Sequence, residues 1–272
     1  MKNISIGQYY PAQSILHRLD PRGKIILALC YIVSAFLCRN VVSFAILLVS
    51  AVVLTILSRI PPKIILRGIK PIIFIMLFTV VINLFLTKGD DLIFKFGIIE
   101  IYREGIFNAV FMIIRIVVLI VGACLFLTYT TTPIALTDAI EQLLYPLKKI
   151  HVPVHEFAMM MTIALRFIPT LVDETDKIMS AQKARGADFS SGGLIKRAKA
   201  LIPVLIPLFV SAFRRADELA TAMECRCYRG GDGRTRMTVR HFRWYDFVAL
   251  AVMACFIAVI VFAGTMNYIY SM

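Results

Sequence analysis

The chain reads as an all-α integral membrane protein, with about five transmembrane helices and a set of long cytoplasmic or interfacial coupling helices. Three observations lead there. First, 59% of its 272 residues are hydrophobic, where a soluble domain usually holds about 45–50%. Second, the apolar residues gather into long runs. Third, the Lys and Arg residues concentrate in alternate connections between those runs.

The apolar runs are residues 23–37, 41–57, 71–87, 106–129 and 247–266. A helix crosses the hydrocarbon core with about 20 residues, within a range near 17–25. The first two runs are short and separated only by Cys38-Arg39-Asn40. They form a tight helical hairpin or two helices that do not fully cross. This division gives an N-terminal membrane part over 1–129 with about four spans, a cytoplasmic region over 130–243, and a last span with the C-terminus over 244–272.

Orientation follows from the basic residues of the connections. The start carries Lys2, Arg18, Arg22 and Lys24 against Asp20, and the 58–70 connection carries Arg59, Lys63, Arg67 and Lys70 with no acid. The 88–105 connection balances Lys88, Lys95 and Arg103 against Asp90, Asp91, Glu100 and Glu104. The long segment 130–246 is again more basic than acidic. The N-terminus, the second connection and the long segment therefore lie in the cytoplasm. The third connection and the C-terminus lie outside. The net charge of +13, on so apolar a chain, fits a lipid bilayer and acidic partners and argues against nucleic acid.

Arg115 interrupts the fourth run. A charge there is either a functional residue or one that faces the helix bundle and bonds a backbone carbonyl. Cys30, Cys38, Cys124 and Cys255 stand in apolar runs, where a thiol behaves as a small hydrophobe. Cys225 and Cys227 have no second pair or His cluster beside them. No disulfide framework, metal site or cofactor is expected. The polar segment from Met1 to Lys24 shows no secretory signal.

The region from Thr130 to Arg243 is too long for a connector. Thr132-Pro133 opens a helix, Leu136, Ile140, Leu143, Leu144 and Leu147 form an apolar stripe along it, and Pro146 bends or ends it. Two longer helical units follow, beginning near Pro153 and Gly193. Each runs apolar, passes one or two prolines (Pro169; Pro203 and Pro207), turns polar, and ends at an arginine. Laid over one another, Asp176, Ala181 and Arg185 fall on Asp217, Ala222 and Arg226, a D-x4-A-x3-R pattern used twice. Arginine is always charged and offers five donors in a rigid fork. At the last turn it also complements the helix dipole, and spacing alone does not choose between that role and contact with a partner. Gly186 lets the chain turn sharply.

The stretches Ala184-Arg185-Gly186 and Cys225-Arg226-Cys227 resemble the two x-Arg-x signatures of the T component of energy-coupling-factor (ECF) transporters. So do Gly7-Gln8-Tyr9, Ser14 through Arg22, Thr131-Thr132-Pro133 and Ala164-Leu165-Arg166-Phe167-Ile168-Pro169. The likeness runs in order along nearly the whole chain. It departs at Cys225 and Cys227, where the family commonly has Ala and Gly. The resemblance implies a non-enzymatic scaffold in the plasma membrane of a prokaryote. Two ABC-type ATPase subunits would accept Arg185 and Arg226 in grooves shaped by Ala184, Gly186, Cys225 and Cys227. Interchangeable S components, which bind a vitamin or other micronutrient, would rest on apolar faces that include Met159, Met160, Ile163, Phe167, Leu201, Leu205 and Leu208. The chain has no phosphate-binding G-x4-G-K-[ST] loop of its own, so the energy would come from partners.

Three rivals stand beside this reading. One is a dedicated cobalt or nickel T component wired to one S component. Another is an intramembrane enzyme using His151, His155 and Glu156; Met159 stands where H-E-x-x-H needs its second His. The third is a channel or secondary carrier, for which the spans hold almost no ionisable residue besides Arg115.

Overall fold

Ser14 and Asp20 start the first two helices by accepting backbone N–H groups with their side chains, from His17 and Arg22 respectively. The computed structural model describes residues 9–38, 40–86, 92–96, 99–189, 193–230 and 242–270. Gly7-Gln8, Arg39 and Lys88 lie outside them.

In chain order the elements are α1 (Ile15–Arg18), α2 (Pro21–Leu37), α3 (Val41–Ser58), α4 (Pro62–Ile69), α5 (Ile73–Leu86), strands β1 (Leu92–Phe96) and β2 (Ile99–Tyr102), α6 (Arg103–Ala123), α7 (Pro133–Leu144), α8 (Val154–Ala184), α9 (Leu194–Cys225) and α10 (Trp244–Tyr270). A 3-10 turn at Lys70–Ile72 joins α4 to α5, where Pro71 lacks the N–H of a regular turn. Four helical stretches among the described residues are long and apolar enough to cross a membrane: Val41–Ser58, Pro62–Phe85, Arg103–Thr128 and Trp244–Thr265. The third span therefore starts earlier than the apolar run at residue 71. The first run, 23–37, becomes α2, which at 17 residues is not among the four. The antiparallel hairpin of β1 and β2, with Lys95 in register with Glu100, was not expected in a connection read for charge alone.

The chain divides into two compact units. One is built from Gly7–Leu136 with Arg240–Met272, the other centres on Thr137–Val239. In the first, Tyr31 of α2 packs against Phe126 and Phe256 at centroid distances of 5.9 and 6.2 Å. Its ring lies against Gly122 so closely that a Cβ there has no room. Phe44 stacks on Phe111 at 4.8 Å. Arg115 donates from Nη2 to the Cys38 carbonyl at 3.0 Å, and its guanidinium carbon sits 5.2 Å from the Phe44 ring centre. The charge thus covers one of the carbonyls left open where α2 ends. His17 donates from Nε2 to the Tyr10 carbonyl at 2.9 Å and takes the Ser14 hydroxyl on Nδ1 at 2.7 Å. Burial lowers its pKa from the usual His value.

In the second unit, α7 gives way at Leu144 to a 3-10 turn over Tyr145–Ile150 that contains Pro146. His155 in the first turn of α8 pairs through Nδ1 with Glu141 of α7 at 3.0 Å. Helices α8 and α9 have 31 and 32 residues, about 46–48 Å each at 1.5 Å per residue. Both continue through their prolines: Pro169 lies inside α8, Pro203 and Pro207 inside α9. A proline removes one intrahelical bond and tends to bend the rod. The remaining turns keep each unit one element.

Candidate functional site

The two arginines end their helices in the same way. At the end of α8, the Gly186 N–H donates to the Lys183 carbonyl at 2.9 Å and the Ala187 N–H to the Gln182 carbonyl at 3.0 Å. At the end of α9, the Cys227 N–H donates to Glu224 at 2.8 Å and the Tyr228 N–H to Met223 at 3.0 Å. Both are Schellman motifs, which satisfy the last open carbonyls by turning one residue into the left-handed region. Arg185 and Arg226 are the two C-cap residues, and Gly186 and Cys227 are the left-handed residues that follow, at φ +87° and +56°.

The motif therefore explains each signature position by position. The residue before the arginine is the last helical one, the arginine is the cap, and the residue after it makes the turn. Glycine makes that turn without strain. Cys227 carries a Cβ into it, which costs about 1–2 kcal/mol.

Ala184, Arg185, Gly186, Cys225, Arg226 and Cys227 are all exposed. Among the described residues neither Arg185 nor Arg226 makes a side-chain hydrogen bond or ion pair, while Glu174, Asp20 and Glu141 have theirs. Both guanidinium forks stand at a helix end with no partner for their donors among the described residues. Asp217, Glu218 and Glu224 are exposed as well.

One tie between α8 and α9 comes from a residue to which the sequence alone assigns no role. Glu174 of α8 accepts the Ser211 hydroxyl on Oε1 and Arg215 Nη2 on Oε2, the latter at 2.8 Å. Gln182 reaches the Pro203 carbonyl at 3.4 Å. As α8 advances from 174 to 182 the partner moves back along α9 from 211 to 203, so the two helices run antiparallel. The Ser211 hydrogen bond foremost, with the Arg215 charge, holds the Glu174 carboxyl below the usual carboxylate range. One signal was available: Ser211 and Arg215 stand four apart on α9 and so share a face. Their partner is on another helix and has no fixed spacing from them.

The apolar surface of the pair is large. Met160, Leu201 and Leu205 are exposed, whereas Met159, Ile163, Phe167 and Leu208 are half-buried. The strongest exposed row on α9 is one residue round from the expected one: Ile202, Ile206, Phe209 and Phe213, with Phe213 at 70% and Phe209 stacked on it at 6.2 Å. On α8, Phe157, Met161 and Ile168 are exposed too. His155 turns to Glu141, not to the adjacent Glu156.

Residues 12–239 match the family described as cobalt transport protein, CbiQ. The chain is also similar to the energy-coupling factor transporter transmembrane protein EcfT of Ruminiclostridium cellulolyticum, 54% identical over 270 residues that cover 99% of each chain. The protein of the same name from Clostridium kluyveri is 54% identical over 250 residues, 92% of each chain. That of Bacillus subtilis is 50% identical over 236 residues, 87% of this chain and 89% of the relative.

Proposed function

This chain belongs to the CbiQ/EcfT family of transmembrane transport proteins, and on that premise we propose that it couples ATP hydrolysis by two ABC-type ATPase subunits to substrate uptake. It is an energy-coupling membrane subunit and not itself the ATPase. Arg185 and Arg226 each enter a groove on one ATPase, flanked by Ala184 and Gly186 at one end and by Cys225 and Cys227 at the other. The observation that carries this reading is the pair of helix ends closed by the same hydrogen-bonded turn, each presenting an exposed arginine with no side-chain partner among the described residues. A helix dipole needs only a positive charge in the last turn; it does not need the same hydrogen-bonded turn built twice.

The substrate-binding S component rests on the apolar faces of α8 and α9, and S components for different vitamins or micronutrients take turns there. The methionines suit that exchange, because a flexible and polarisable side chain adapts to several partners. The membrane is the plasma membrane of a prokaryote, with the N-terminus and the region 130–243 on the cytoplasmic side, as the basic connections indicate. A dedicated cobalt transporter has one observation in its favour, the description of the matched family. The relatives are named as energy-coupling factor transporter proteins, without mention of cobalt.

Co-expression with two candidate ATPases and affinity capture of this chain tests the reading. Both ATPases are expected in the eluate in stable amounts. Capture of this chain alone would sink it. Supplying a vitamin-binding or a cobalt-binding S component to the captured complex then separates the shared type from the dedicated one.

A further inference from the structure

Helix α4 begins without a side-chain cap and against its own dipole. Its N-cap residue is Pro61, and its first turn holds no acid but does hold Lys63. A cation there meets the positive end of the helix dipole. Lys63, Arg67 and Lys70 stand four and three residues apart, so they share one face, and like charges at that spacing repel. All three are exposed, and none has a side-chain partner among the described residues. The chain offers no local compensation, since no Asp or Glu occurs between Asp20 and Asp90. Helix α6, against which α4 packs, carries only Glu104, in its first turn at the other end.

The opposite face of α4 is fixed. Ile60 and Ile65 are buried with Val121, Leu125 and Tyr129. The Tyr129 hydroxyl donates to the Ile64 carbonyl at 3.4 Å. At Gly68 a Cβ would come within 2.6 Å of that hydroxyl, so glycine is what lets α4 lie this close. The helix is seated by its apolar face and keeps its basic stripe outward despite the repulsion along it.

Beyond Lys70 the exposed surface turns apolar. Leu66 stands beside the stripe, and Ile73, Phe74, Leu77 and Phe78 follow it, all exposed, Phe74 at 78%. They belong to one helical stretch, Pro62–Phe85, long and apolar enough to cross a membrane. Cations at the end of a span sit at headgroup depth, and the apolar residues after them sit among acyl chains. A soluble anion has no use for that apolar strip, and an acidic protein would have to follow it into the bilayer. We propose that Lys63, Arg67 and Lys70 bind the headgroup of an anionic phospholipid whose acyl chains lie along Leu66, Phe74, Leu77 and Phe78. The lipid phosphate supplies the charge that α4 lacks at its start, where open N–H groups and the dipole also favour an anion. Lys and Arg clusters beside a membrane span attract anionic lipids in this way. Such a site needs only the membrane setting of the family, whatever the ATPases do.

The test uses the full chain, purified in a neutral detergent and titrated with phosphatidylglycerol or phosphatidylcholine of the same acyl chains. Native mass spectrometry counts the lipid bound and gives its affinity. Wild type is expected to hold phosphatidylglycerol at least about tenfold more tightly than phosphatidylcholine. Each cation near an anionic surface strengthens binding about fivefold. The variant Lys63→Gln, Arg67→Gln, Lys70→Gln is therefore expected to lose the preference and keep its phosphatidylcholine binding. Arg67→Gln alone, expected to weaken phosphatidylglycerol about fivefold, decides the matter if the triple variant does not purify. Equal affinity for the two lipids in wild type, or a preference that survives these substitutions, would overturn the site. Displacement of phosphatidylglycerol by an equal concentration of glycerol phosphate would also overturn it, since a free phosphate would then be the ligand. So would loss of bound phosphatidylglycerol when candidate ATPases are added, since the stripe would then be a protein contact. The coupling function stands or falls separately, on the capture of the ATPases.

Discussion

The ends of α8 and α9 share a hydrogen-bonded turn but differ at the residue that makes it. Gly186 enters the left-handed region freely, with open space around it. Cys227 enters the same region with a side chain attached. What the two ends hold in common is the cap arginine and the pattern of backbone bonds that closes the helix behind it. What they do not share is the ease of the turn. The signature therefore specifies where a guanidinium stands, and glycine is one way to reach that geometry. A two-fold partner would meet two similar prongs, the second of them under mild strain.

Removing both prongs should have the largest effect. Arg185→Ala combined with Arg226→Ala is expected to abolish ATP-driven uptake in proteoliposomes, since truncating one desolvated charge at an interface costs about 2–5 kcal/mol. Next comes Gly186→Val, which puts a β-branched residue at φ +87°. Nothing crowds that Cβ, so the loss is purely of the backbone. It should destabilise the end of α8 by about 1–2 kcal/mol, read as faster amide exchange in its last turn. Cys227→Gly sharpens the comparison in the opposite sense. It should stabilise the end of α9 by about 1 kcal/mol and slow exchange there, with no gain at the end of α8.

The smallest effect belongs to Glu174. Its carboxyl titrates below the ordinary value of 4.5, so the folded state binds a proton less readily than the unfolded chain. Its contribution is fully present above about 4.5 and is lost as pH falls through the lower folded value. Acidification below pH 4.5, or Glu174→Gln at neutral pH, should loosen α8 from α9 slightly, because the Arg215 partner is 36% exposed and such pairs are worth little. Amide exchange midway along both helices measures it.

Much of this was legible along the chain. Long apolar runs mark membrane helices whatever their partners, and α3, α6 and α10 appeared near their expected places. The start of the third span did not, because α4 brings Lys63 and Arg67 into the helical stretch that continues it. The likeness of the two helix ends was legible from Arg185 and Arg226. Its cause was not, because a Schellman turn is defined by backbone bonds that Gly allows and Cys tolerates. The ties between distant segments stayed hidden for a different reason. Glu174 with Ser211, Lys24 with Thr130 and Asp246 with Asp20 join residues 37, 106 and 226 positions apart, and no periodicity links them. The β1–β2 hairpin did have a local signal, since apolar and polar residues alternate over Phe94-Lys95-Phe96 and again over Ile99-Glu100-Ile101, on either side of Gly97.

On the function proposed above, Arg185 and Arg226 are equivalent contacts with two ATPase subunits. Titration of the ATPase pair onto the reconstituted wild type, Arg185→Ala and Arg226→Ala proteins measures what each contributes. Each single variant is expected to weaken binding by at least about tenfold, and by similar amounts, with the double variant weaker than either. Affinities that match wild type in both single variants would contradict the claim and return the two arginines to the role of ordinary helix caps.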